Sequence, residues 1–116
     1  MLLFFVVGKI IVTEYLQDGV SIFEKWFNGL DAHAAAKVTT ALYRLEQGNL
    51  SNVKSVGKGV SEYKVDFGPG YRIYFGQDGN TLIILLGGGF KKMQGRDIKE
   101  AQILWAQYKS EKKQKK

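Results

Sequence analysis

Two basic side chains in the second half of the chain, Lys64 and Arg72, stand on neighbouring strands of one tight hairpin, the stretch best placed to carry function. Lys64 and Arg72 flank Gly68-Pro69-Gly70 in VSEYKVDFGPGYRIYF (60–75), and Lys91 and Lys92 follow the glycine run Gly87–Gly89. A guanidinium fork grips an oxyanion at two points, an ammonium adds a compact charge, and a cation fixed on a strand is better oriented than one on a loop. The surplus of positive charge on this half of the chain suits a polyanionic partner, either nucleic acid or an acidic protein. Other chemistries lack their residues. There is no cysteine for thiol catalysis, and the single His33 has no Cys, second His or carboxylate at ligand spacing. The carboxylates are scattered, against the clustered acids of a two-metal nuclease, and no GK[ST] follows the glycine run to make a phosphate cradle. Neither a metal nor another cofactor is expected.

The elements that must position these residues follow from local patterns. At 116 residues, with 45% hydrophobic and 24% charged side chains, the chain is sized for one globular domain, residues 1–110, with 111–116 as a basic disordered tail. Net charge is uneven: −1 over residues 1–53 and +7 over residues 54–116. MLLFFVVGKIIV lacks the basic start and cleavage site of a signal peptide and is too short to span a bilayer, so it reads as a buried strand, with 1–7 an extension beyond the core fold. With no cysteine, a reducing cytoplasm is the expected compartment, without membrane contact.

KIIVTEYL (9–16) predicts a strand, broken at Asp18-Gly19. Ser21 stands three residues before Glu24, the capping-box spacing, ahead of a helix burying Ile22, Phe23, Trp26, Phe27 and Leu30 and ending at Asn28-Gly29. Asp31 caps a second helix to about Gln47, with Ala35, Val38, Leu42 and Leu45 inward and Lys37, Arg44 and Glu46 facing away. Residues 48–59 read as a loop carrying Lys54 and Lys58. In the hairpin that follows, Tyr63, Val65 and Phe67 alternate with Glu62, Lys64 and Asp66, and Tyr71, Ile73 and Phe75 with Arg72, Tyr74 and Gly76. That is the period of half-buried strands, which sets Lys64 and Arg72 on open faces. A turn at residues 77–80 leads to TLIILL (81–86), apolar throughout and so covered on both faces, and a last helix runs from about Asp97 to Lys109. The whole is an α+β fold of order β-α-α-β-β-β-α. A helical hairpin packs on an antiparallel-rich sheet, and a C-terminal helix follows.

Laid out in this way, the chain resembles the RelE/ParE superfamily of toxins from type II toxin–antitoxin modules, and within it the HigB-like, phage-associated addiction module killer branch. The residues that carry the likeness are SIFEKWFNGLD (21–31), RLEQGNLSNVKSVGKGVSEYKVDFGPGYRIYF (44–75) and TLIILLGGGFKKMQGRDIKEA (81–101). The resemblance implies a RelE/ParE-like fold and a toxin neutralised by a cognate antitoxin, often a helix-turn-helix protein. Operator DNA would be bound only through the antitoxin complex. RelE- and HigB-type members cleave mRNA on the ribosome, ParE-type members inhibit DNA gyrase, and a degenerate member could act as an antitoxin-binding corepressor.

For the first of these activities, metal-independent RNA cleavage needs a base for the ribose 2′-hydroxyl, cations for the phosphate and a proton donor for the leaving oxygen. The resemblance assigns Arg72 of GYR as the phosphate clamp, Lys64 as base or electrostatic stabiliser, and Lys92 as a further transition-state cation. Lys54, Lys58, Tyr71, Lys91 and Gln94 would bind substrate. The chain departs from the RelE pattern at Asp66, where a second strand Lys is usual, and at Ile98, where a Tyr is usual. The acid–base set is incomplete by that template, and Tyr71, Gln94 or Asp66 would substitute in it.

Overall fold

Both helix starts in the first half of the chain are capped by the side chains that the spacing points to, in a computed structural model that describes residues 10–115. Ser21 Oγ accepts from the Glu24 amide at 3.0 Å and Asp31 Oδ1 from the Ala34 amide at 2.9 Å, each satisfying an orphan donor of a first turn. They begin α1 (Ile22–Asn28) and α2 (Ala32–Glu46). Ahead of them, β1 (Ile11–Glu14) is followed by two short paired strands, β2 (Leu16–Gln17) and β3 (Val20–Ser21). The segment expected as an extension, residues 1–7, lies outside the described residues.

After α2 come β4 (Val53–Ser55), β5 (Val60–Val65), β6 (Tyr71–Asp78) and β7 (Leu82–Phe90), then a single 3₁₀ turn, Lys91–Met93, and α3 (Gln94–Gln114). They build one mixed sheet, ordered β1-β7-β6-β5-β4, in which β1 runs parallel to β7 and the remaining pairs are antiparallel. The crossover between the parallel strands carries the helical hairpin, as a parallel pair requires. Residues 53–55, expected in a loop, instead pair with Ser61–Tyr63 as a short edge strand.

Helices cover the sheet on both sides. On one face Phe23, Ala34, Val38 and Leu45 pack against Tyr63, Ile73, Phe75 and Ile83; on the other Ala101, Leu104 and Trp105 pack against Val60, Tyr74, Ile84 and Leu86. Fully burying such a side chain contributes roughly 1.5–3 kcal/mol, so the two cores hold the sheet between them. A glycine seats a tryptophan on each face, where a Cβ at Gly88 would overlap Trp26 and one at Gly76 would overlap Trp105. The glycine run thus lies within β7, which extends past the residues 81–86 read as a strand.

The basic end also differs from expectation. Residues 111–114 continue α3, where a disordered tail was expected from 111. Side chains tie these last turns to the sheet: Tyr15 Oη donates to Glu111 Oε1 at 2.7 Å, and Lys112 Nζ lies 2.6 Å from Asp78, which also accepts from Tyr108. No described helix is long and apolar enough to cross a membrane.

Candidate functional site

Strand register decides which charged side chains meet. Lys64 of β5 stands opposite Arg72 of β6, and Arg72 opposite Gly89 of β7. One row along, Lys54, Glu62 and Tyr74 are aligned across β4, β5 and β6. Residues opposite one another share a face, here the face that α3 covers. The turn after β5 closes with the Gly70 amide donating to Phe67 O at 3.0 Å, and Gly68 (φ 55°) and Gly70 (φ 82°) adopt left-handed backbone that suits glycine. Gly70 O in turn accepts from the Lys91 amide at 2.9 Å, which draws the 3₁₀ turn over the hairpin end. The result is an open groove of about 420 Å³ lined by Lys64, Asp66, Phe67, Gly70, Arg72 and Lys91 among others.

Arg72 is not the open-face cation that strand alternation predicts. Its residue exposure is 4% and that of Glu62 is 1%. Its Nε lies 3.5 Å from Glu62 Oε1, and its Nη1 donates to Tyr71 O at 3.2 Å. β6 is the middle strand of five, and α3 shuts its second face, so a charge there needs an internal counter-charge. Glu62 supplies it, and is itself held by Gln94 Nε2 at 2.7 Å and flanked by Lys54 Nζ at 3.8 Å.

Two more buried groups surround this pair. Burial, and then the negative charges of Glu62 and Asp97, push the Tyr74 phenol well above its ordinary range, with Arg72 pulling weakly the other way. Burial also raises the Asp97 carboxyl; the neighbouring Arg96, 3.3 Å away, pulls it down, and the Glu100 charge adds to the rise. Asp97 lies so close to Gly89 that a Cβ there would collide with its carboxylate. Sequence reading missed Glu62 and Asp97 as parts of the site. The available signal was a Glu and an Arg placed one row apart on adjacent strands.

The expected site residues therefore separate. Lys64, Arg72 and Lys91 share the groove, with Asp66 3.6 Å from Lys64 Nζ. Lys92, expected as the third catalytic cation, is exposed on the 3₁₀ turn and does not line the groove; Lys91 stands there, because its amide is the one bonded to the hairpin. Gln94 braces Glu62 from behind, and Lys54 flanks the same carboxylate. Tyr71 is buried on the opposite face among Trp26, Phe67 and Phe90, so it belongs to the core. Lys58, at φ 55° between two glycines, lines a separate hollow with Lys99 and Gln102 of α3. His33 is an exposed residue of α2. Among the described residues, no three His, Asp or Glu side chains are grouped closely enough to hold a metal ion.

Chemically, the groove presents two ammonium groups, the edge of a pre-oriented guanidinium and one carboxylate around a solvent-filled space. That set can hold an oxyanion and exchange protons with it. Over 83 residues the chain is 41% identical to an uncharacterized protein of Haemophilus influenzae, an alignment that takes in 71% of this chain and 84% of that protein. No family model matches the chain, and no solved structure matches it.

Proposed function

We propose, for a chain that belongs to one family with this Haemophilus influenzae protein, the role of a RelE/ParE-like toxin of the HigB branch. In this reading it is an endoribonuclease that cuts mRNA on the ribosome in the cytoplasm and is held inactive by an antitoxin. The observation that carries the reading is the meeting of Lys64, Arg72 and Lys91 in one groove beside a glycine turn. Arg72, fixed by Glu62, sets a rigid anchor for a phosphate oxygen, and Lys91 balances the charge that develops on it. Asp66 accepts the ribose 2′-hydroxyl proton, the 2′-oxygen attacks phosphorus, and the bond to the 5′-oxygen breaks. Lys64 donates a proton to that oxygen and recovers one from Asp66 across their 3.6 Å pair. The products are a 2′,3′-cyclic phosphate and a free 5′-hydroxyl.

One observation favours a second reading. Glu62 neutralises Arg72 internally, which suits a ParE-like gyrase inhibitor that binds without cleaving. Toeprinting a defined mRNA in a reconstituted translation reaction, beside a gyrase supercoiling assay, separates the two. New codon-linked ends with unaffected gyrase are expected. Inhibited gyrase without new ends replaces the first reading with the second. Silence in both assays overturns both and leaves the corepressor role, tested by operator binding with the antitoxin.

A further inference from the structure

The groove does not end at Lys64. A second hollow of about 200 Å³ opens on the other side of that side chain, where Lys64 and Asp66 again form part of the wall, facing Lys37, Thr40 and Arg44 of α2 and Asn52. It exists because β4 covers little of β5. The two strands pair only over Val53–Ser55, the last bond is from the Lys64 amide to Asn52 O at 3.0 Å, and α2 flanks the free edge beyond. Lys37 joins the two hollows, its Nζ standing 5.5 Å from the centroid of the Phe67 ring, which lines the first groove. Lys37 and Arg44 lie two helical turns apart on α2, about 10 Å along its axis. Both are exposed, and among the described residues neither has a carboxylate within ion-pair distance.

Together the walls of the two hollows carry four exposed cations, Lys37, Arg44, Lys64 and Lys91, against the one exposed acid, Asp66, with the buried Arg72 paired to Glu62 beneath them. The far side of α2 is the reverse: the hollow between β1, α1 and α2 carries Glu14, Glu24 and Glu46 and no cation. A polyanion is therefore attracted along one side of α2 and repelled from the other.

We infer that a single-stranded nucleic-acid backbone runs continuously from the Lys64–Arg72–Lys91 groove over the β5 edge onto α2, where Lys37 and Arg44 take flanking phosphates. This rests on the reading of the first groove as a phosphate site and adds a second stretch of contact to it. The ligand chemistry is the phosphodiester backbone, which RNA and DNA share. Lys37 and Arg44 are binding residues for strand outside the cleaved linkage, and they take no part in proton transfer.

The test uses the full chain and fluorescein-labelled single strands, a dinucleotide and an octanucleotide, each as 2′-O-methyl RNA and as DNA, read by fluorescence anisotropy over a salt series. Lys37→Ala/Arg44→Ala is expected to weaken octanucleotide binding roughly tenfold and to reduce the slope of log affinity against log salt by about 1.4, near 0.7 for each phosphate lost. Dinucleotide binding stays within about twofold and the melting curve is unchanged, since both side chains are exposed. Lys37→Arg/Arg44→Lys restores the slope. Equal weakening on RNA and DNA, or weakening on RNA alone, supports the track; weakening on DNA alone overturns it. An unchanged octanucleotide affinity, equal losses on both lengths, or wild-type protein that binds neither strand also overturns it. Lys64→Ala/Lys91→Ala tests the underlying reading separately. If that variant binds the dinucleotide as wild type does, the first groove is not a phosphate site, whatever α2 does.

Discussion

Replacing Glu62 by Gln tests the buried pair at the base of the site. The side chains are nearly isosteric, so no cavity opens and the change isolates the charge. Glu62 and Arg72 are both almost fully enclosed, with 1% and 5% side-chain exposure, so water screens their interaction little. Removing one partner of such a pair leaves the other buried without a counter-charge, at about 3–5 kcal/mol. The amide oxygen of the new residue can still accept a hydrogen bond, which places the loss near the lower figure. For a domain of this size roughly 3 kcal/mol lowers Tm by about 12 °C. Glu62→Leu/Arg72→Met, which removes both charges and keeps the volume, should recover more than half of that loss, because buried pairs and apolar replacements are often near parity. Differential scanning calorimetry on the parent, the singles and the doubles supplies the cycle. A fall of less than about 4 °C for Glu62→Gln, equivalent to about 1 kcal/mol, would refute the reasoning, as would additive effects of Glu62→Leu and Arg72→Met. The same geometry makes Arg72→Ala a poor test of activity, since it too strands a buried charge.

Three further outcomes follow from the packing and the titrating groups. Gly76→Ala, which drives a methyl group into Trp105, should cost roughly 1–3 kcal/mol by overpacking and shift the tryptophan emission; an unchanged melt and spectrum would misplace α3. Burial first, and then the bonds to Glu111 and Asp78, push Tyr15 and Tyr108 each up to about 12. Their share of stability is full below pH 10 and is lost as pH rises through about 12, so ultraviolet titration should show fewer tyrosinates at pH 11 in the folded protein than in denaturant, and equal counts would contradict it. The bonds from Lys112 and Tyr108 hold Asp78 below the usual carboxylate range. Its contribution is therefore present above pH 4 and is lost as pH falls through that depressed value. Asp78→Asn should flatten this acid limb of the stability curve and speed amide exchange in the last turns of α3, and neither change would leave α3 anchored by other means.

The fold was legible wherever one local rule governed. Ser21 and Asp31 announced the helix starts, Gly68-Pro69-Gly70 the hairpin, and Ile83–Leu86 a strand covered on both faces. What escaped depended on a second layer. Alternation in β5 and β6 indicates one buried face, but α3 folds over the other. The clue lay in what that face carried, namely Tyr74, Gly76, Gly87 and Gly89, which are aromatic or small where a solvated face would be charged. The resemblance sets Lys92 ahead of Lys91, and a single backbone bond from the Lys91 amide to Gly70 reverses that order by bringing Lys91 to the groove. Counting charge by halves of the chain hid Lys37 and Arg44. They lie in the acidic half, yet α2 brings them beside Lys64.

In the proposed role, Lys64 and Lys91 act with Arg72 on a nucleic-acid phosphate. The most direct measurement is single-turnover cleavage of mRNA in programmed ribosomes by the parent and by Lys64→Ala/Lys91→Ala. Both side chains are exposed, so the two proteins should melt alike. The parent is expected to cleave at defined codons and the variant to lose roughly 10²-fold or more in rate, the scale of removing charge-stabilising groups from a transition state. Equal rates from the two proteins, or no cleavage by the parent, would contradict it.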